Sequence, residues 1–277
     1  MSTRPTHPPR LRRAVGLLLA GLLSAAAPAP ATPAQVLGAR PAGRFLAPRP
    51  VRQRPLAGVV VGIDPGHNGR NGTAAAFIDH LVWNGRAQET CDTSGTQSDS
   101  GYTEARFNFN VARYLVADLR AEGARVVLTR SSNAGVGPCV DTRAKIIDRA
   151  HARVAIDIHA DGGPAGGRGF AILEPVADGP NDRVIAASRR FGAALLRRYR
   201  ALTRMPTSTY DGTNGISYRD DLAGLNLTTV PKVLIECGNM RNSTDAALLV
   251  RPSFQKLAAK AFAEAITEFA AGRRRAP

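Results

Sequence analysis

The stretch Gly58-Val59-Val60-Val61-Gly62-Ile63-Asp64-Pro65-Gly66-His67-Asn68-Gly69 is an apolar run that breaks at an Asp-Pro-Gly turn and delivers a histidine. A short, β-branched apolar run of this kind reads as a strand buried on both faces. Two more runs end alike: Ala155-Ile156-Asp157-Ile158-His159-Ala160-Asp161, and Val233-Leu234-Ile235-Glu236-Cys237-Gly238. Strands are expected over 58–63, 125–129, 154–158, 169–173 and 233–235. Between them, helical periodicity predicts helices over 103–122 (capped by Thr103), 140–151 and 182–200, with two closing helices within 243–269. Residues 64–102 form a loop long enough to be functional, and 203–226 reads as irregular. Alternating strands and helices predict one α/β domain with a largely parallel sheet flanked by helices on both faces. Such sheets place their sites beyond the carboxyl ends of the strands. His67, His159 and Glu236 all fall there.

Those ends carry the chemistry of a hydrolytic metal site. His67, His159 and Glu104, which opens the helix after the turn-rich 93–102, offer two imidazoles and one carboxylate. That set leaves a coordination position free for water, as a catalytic zinc requires and a structural zinc does not. Glu104 is also what the helix dipole favours in a first turn, so its weight comes from context. Glu236 stands in an otherwise apolar strand, where a carboxylate is costly unless it is paired or functional. Arg241 or Lys232 would be its structural partner; otherwise apolar surroundings raise its pKa toward that of a proton shuttle. Asp64 serves either the Pro65-Gly66 turn, which is favoured, or the orientation of a ligand imidazole. The HExxH pattern is absent, which excludes the arrangement with two ligands on one helix.

The chain has 277 residues, 44% of them apolar, and a formal charge of +15 carried almost wholly by arginine. This balance favours polyanionic surroundings. Arg4, Arg10, Arg12 and Arg13 precede the apolar stretch from Ala14 to Ala27, and the small residues of Ala27-Pro28-Ala29 follow. Basic, apolar and small segments in that order predict a signal peptide over 1–31 and export. The stretch, about 14 residues, is short of the roughly 20 of a membrane span. A Pro/Ala/Arg-rich linker over 32–57 and a catalytic domain over 58–272 follow. In an oxidising compartment the loop cysteines Cys91 and Cys139 are expected to pair. Cys237, on the opposite strand face from Glu236, is expected to be a buried free thiol.

The segments Asp64-Pro65-Gly66-His67, Glu104, Ile158-His159-Ala160-Asp161 and Glu236-Cys237-Gly238-Asn239 resemble, in order, the zinc-dependent N-acetylmuramoyl-L-alanine amidases. The exported single-domain actinobacterial forms are the nearest in kind. The likeness runs over about residues 59–269 and includes Cys91-Asp92-Thr93-Ser94-Gly95, Gly137-Pro138-Cys139-Val140-Asp141 and Asp221-Leu222-Ala223-Gly224-Leu225-Asn226. It implies a six-stranded mixed, mostly parallel sheet of phosphorylase/hydrolase-like type. It implies Zn2+ held by His67, Glu104 and His159. It implies hydrolysis of the amide between the lactyl group of N-acetylmuramic acid and L-alanine, with Glu236 as general base and acid on a zinc-bound water. Arg219, Asp220 and Asn226 are expected as substrate-groove contacts. Peptidoglycan is the implied partner, and the basic surface would meet an anionic wall polymer. Neither nucleic acid nor stable membrane insertion is expected of what reads as a monomer. Asp157 departs from the family's usual small Ser: it either tunes the metal or is buried with Arg143. The segment 161–179 is too short and Gly-rich for the inhibitory helical insertion of some members. A zinc peptidase on the same fold and a non-catalytic peptidoglycan-binding relative remain the alternatives.

Overall fold

The computed structural model describes residues 54–273. The signal-peptide reading, and the linker reading up to residue 53, lie outside them. In chain order the elements are β1 (Val60–Pro65), α1 (Ala75–Ile78), β2 (Leu81–Trp83), β3 (Gln88–Thr90), α2 (Glu104–Ala121), β4 (Arg125–Leu128) and α3 (Val140–Arg149). There follow β5 (Val154–Asp161), β6 (Ala171–Pro175), α4 (Ile185–Thr203), β7 (Ile216–Arg219), α5 (Ala223–Asn226), β8 (Lys232–Asn239), α6 (Ser243–Leu249) and α7 (Pro252–Arg273). Six strands form one sheet in the order β4-β1-β5-β8-β6-β7, and β2 and β3 form a separate antiparallel pair. All neighbours in the large sheet run parallel except β6 and β8.

Strand alternation sorts the central residues onto two faces. Val61 and Ile63 of β1, Val154, Ile156 and Ile158 of β5, and Val233, Ile235 and Cys237 of β8 join α2, α4 and α7 in the main apolar core. The other face is covered by α3 and α5, with small apolar clusters around Ile147 and Leu225. On it, by the same alternation, lie Asp64, Asp157, His159, Lys232 and Glu236. The core also takes in Leu56, fully buried and bonded from its N–H to Glu122 O, so the packed domain begins inside the stretch read as linker.

Three expectations need correction. The stretch 203–226 is not irregular throughout: β7 extends the sheet beside β6, and α5 is a single turn before β8. Both are four-residue elements, too short for periodicity to reveal. The loop after His67 carries the β2–β3 hairpin. Thr103 sits at the N-cap of α2 without a side-chain cap bond; the Glu104 N–H instead donates to Thr96 O at 2.9 Å. Among the described residues no helix is long and apolar enough to cross a membrane.

Candidate metal centre

β1 and β5 are hydrogen-bonded neighbours, so His67, just past β1, and His159, near the end of β5, emerge side by side. Their rings lie 4.8 Å apart, nearly perpendicular. Glu104, buried at the start of α2, reaches between them. Its Oε1 lies 3.2 Å from His67 Nε2 and 2.8 Å from His159 Nδ1. One ligand atom from each of the three falls within 4.8 Å of the others. Backbone N–H groups of Thr96 and Ala160 donate to the Glu104 carboxylate at 3.0 and 3.2 Å, fixing its rotamer.

The surrounding chain makes room for these groups. His67 has φ of 58°, a left-handed conformation that costs a non-glycine residue about 1–3 kcal/mol and recurs at functional sites. A Cβ at Gly66 would lie 2.1 Å from His159 Cε1; one at Gly95 would lie 2.8 Å from Glu104 Oε2. Only glycine fits either place. Arg130, buried, donates to the carbonyls of Pro65, Gly66 and Ala105, locking the exit of β1 to the first turn of α2.

Glu236 of β8 stands directly across from His159 of β5 in register. Its Oε2 is buried and has no hydrogen-bond partner. Among the described residues neither Arg241 nor Lys232 forms an ion pair with it; Lys232 is instead held by Asp64 and Asp157. Burial raises the Glu236 carboxyl well above the ordinary range, with Glu104 and Asp161 adding to the shift against the opposing His159. Burial alone would depress the His67 imidazole, but Glu104 and Asp92 outweigh it and push it up to about 9. Burial would raise Glu104, yet the two histidines hold it well below its usual value.

Asp64 does not serve the turn. Its carboxylate accepts from Thr129 Oγ1, Arg143 Nη1 and Lys232 Nζ at 2.6, 3.0 and 2.8 Å. The group oriented on His67 is Asp92, 3.1 Å from Nδ1, a residue the sequence reading passed over. Its signal was present: Asp92 follows Cys91, and the pair Cys91–Cys139 is a disulfide that pins this loop to the start of α3. Cys237 is buried and free. A second group of candidate ligands, His80, Cys91 and Cys139, has both its sulfurs in that disulfide.

A cavity of about 500 Å³ opens over the three ligands and Glu236. Arg219, Glu89, Thr96, Leu222 and Leu234 are among its walls. Of the expected substrate contacts, Arg219 lines it, clamped by Asp221 through two 2.7 Å bonds. Asp220 is exposed and 3.5 Å from Arg86. Asn226 is fully buried and donates to the Asp220 carbonyl, so it shapes the turn and presents nothing to the cavity.

The sequence profile of Amidase_3, described as N-acetylmuramoyl-L-alanine amidase, matches residues 61–268. The chain belongs to this family. The amidase fold of residues 54–273 is similar to that of Ami1 from Mycobacterium smegmatis, an N-acetylmuramyl-L-alanine amidase. That likeness has a TM-score of 0.74 and 37% identity over 78% of this chain and 99% of that one. The apo form of Ami1 from Mycobacterium abscessus is similar at a TM-score of 0.73, with 38% identity over 77% and 99% of the two chains. The N-acetylmuramoyl-L-alanine amidase Rv3717 of Mycobacterium tuberculosis is 37% identical over 223 residues, 78% of this chain and 88% of its own.

Proposed function

We propose that this amidase cleaves the amide between the lactyl group of N-acetylmuramic acid and the L-alanine of a peptidoglycan stem peptide, and that it does so with zinc. His67, Glu104 and His159 would hold the ion. The observation that carries the reading is a triad of two imidazoles and a carboxylate within 4.8 Å, cradled by Gly66 and Gly95, beside an unpartnered carboxylate oxygen of Glu236. Zinc bound there supplies Lewis acidity, which lowers the pKa of a water and polarises a carbonyl. Glu236 takes the proton of the attacking water and returns it to the leaving amine of L-alanine. Its raised pKa suits the second task, and a cation beside it works against the burial that raised it. Arg219, a cation on the cavity wall, offers an anchor for a carboxylate of the stem peptide.

The chain would be exported after cleavage of a signal peptide over 1–31. A basic linker ending before Leu56 would help the arginine-rich surface adhere to an anionic wall polymer, with the catalytic domain from Leu56 to residue 272 acting as a monomer. The deciding experiment incubates the protein with a muropeptide, with and without chelator, and identifies products by mass spectrometry. Free stem peptide and intact N-acetylmuramic acid, lost on chelation and in Glu236→Ala, are expected. Cleavage within the peptide would replace this reading with a peptidase on the same metal site.

A further inference from the structure

Behind the two imidazoles runs an unbroken line of buried ions. It begins at His67 Nδ1, 3.1 Å from Asp92 Oδ1. Asp92 Oδ2 meets Arg143 Nη2 at 3.0 Å, and Arg143 Nη1 meets Asp64 Oδ1 at 3.0 Å. Asp64 Oδ2 accepts from Lys232 Nζ at 2.8 Å, and Lys232 Nζ faces Asp157 Oδ2 at 3.3 Å. Asp157 Oδ1 closes the line 3.3 Å from His159 Nε2. All five linking side chains are buried, Lys232 completely.

A buried ion cluster is a poor stabiliser, because desolvation offsets the Coulomb gain and apolar replacements often do as well. Both ends of this one land on the ring nitrogens that face away from Glu104. A histidine that binds a metal through one nitrogen carries its proton on the other, and a carboxylate there fixes tautomer and ring orientation. Asp157 Oδ1 is buried without a hydrogen-bond partner, a want that an N–H on His159 Nε2 would meet. At Gly224 of α5 a Cβ would lie 3.1 Å from Lys232 Nζ and 3.3 Å from Asp157 Oδ2, so this turn too is shaped around the line.

We propose that Asp157 with Lys232 on one arm, and Asp92 with Arg143 on the other, are positioning residues for the two histidines, and that Asp64 joins the arms so that both rings are set together. The inference rests on the reading of His67, Glu104 and His159 as zinc ligands. Its test is zinc affinity by chelator competition, and the cobalt(II) absorption spectrum, for the full chain and for Asp157→Asn, Lys232→Met, Asp92→Asn and the double variant Lys232→Met/Asp92→Asn. Unfolding temperatures of the metal-free proteins are recorded alongside. Each single variant is expected to bind zinc about 10–100-fold more weakly and to shift the cobalt spectrum. The double variant is expected to lose less than the product of the two single losses, because each cut already frees the joined line. Unfolding temperatures that fall while zinc affinity and cobalt spectrum stay as in the parent would make the line merely structural and overturn the proposal. Should Lys232→Met fail to fold, the isosteric Asp157→Asn and Asp92→Asn decide alone. A parent chain that takes up no metal overturns the zinc reading itself, and this inference with it.

Discussion

The two faces of the six-stranded sheet are covered in different ways. Toward α2, α4 and α7 the strands present Val, Ile and Cys237 to a continuous apolar core, where Tyr199 and Phe262 stack at 5.7 Å. Toward α3 and α5 the same strands present Asp64, Asp157, Lys232, His159 and Glu236, with only small apolar clusters beside them. Period-two alternation makes this division possible, since neighbouring residues of one strand serve opposite purposes. One face supplies stability through burial of apolar surface. The other gives up part of that gain to hold charged groups at fixed positions.

The largest expected effect lies at the catalytic end of the charged face. Glu236→Gln would remove the proposed proton shuttle while keeping its shape, and amidase turnover should fall by about 10²–10⁴-fold with zinc affinity unchanged. Turnover within tenfold of the parent, read on a muropeptide, would move the base elsewhere. Next comes the buried line. Burial alone would raise the Asp64 carboxyl, but Lys232 and Arg143 hold it well below the usual carboxylate range. A depressed folded-state pKa stabilises the fold above the unfolded value of about 3.9 and loses that contribution as pH falls below it. Asp64→Asn should therefore cost about 3–5 kcal/mol at neutral pH by leaving two cations short of a partner. Its denaturant midpoint should converge on the parent's as pH drops below about 4. A gap between the two that stays constant from pH 7 to pH 3 would contradict the depressed pKa.

On the apolar face, Phe262→Ala should cost about 3–5 kcal/mol in denaturant unfolding, with zinc affinity unchanged in the fraction that remains folded. A loss of metal affinity as well would blur the division between the faces. The smallest effect is expected where ions meet water. Glu268 receives Arg197 and Arg198 across the exposed α4–α7 seam, and Glu268→Gln should cost no more than about 1 kcal/mol. A loss comparable to that of Asp64→Asn would mean that burial is not what separates the two kinds of pair.

Much of the site was legible because its parts sit where sequence signals are strongest. His67 and His159 follow apolar strands, Glu104 opens a periodic helix, and Glu236 interrupts an apolar run. The disulfide followed from two cysteines in loops of a chain expected to be exported. Asp157 and Lys232 were visible as ions in apolar strands, yet their partners were not. The spacing from Asp64 to Lys232 is 168 positions, and no local pattern spans it. The loop residue Asp92 looked like any turn aspartate. β7 and α5 were missed because four residues hold too little periodicity to read.

The sequence by itself determined the alternation of strands and helices, the carboxyl ends at which chemistry collects, and the residue types that gather there. Those properties are local: each depends on which side chains can be buried within a few residues of one another. Only the tertiary structure decided that β6 runs against β8, that Asn226 faces inward while Arg219 faces the cavity, and that Lys232 answers to Asp64 and Asp157 and leaves Glu236 alone. The reason is that a buried ion takes whichever opposite charge the fold brings within about 3 Å, and that distance is set by strand order and register across the sheet.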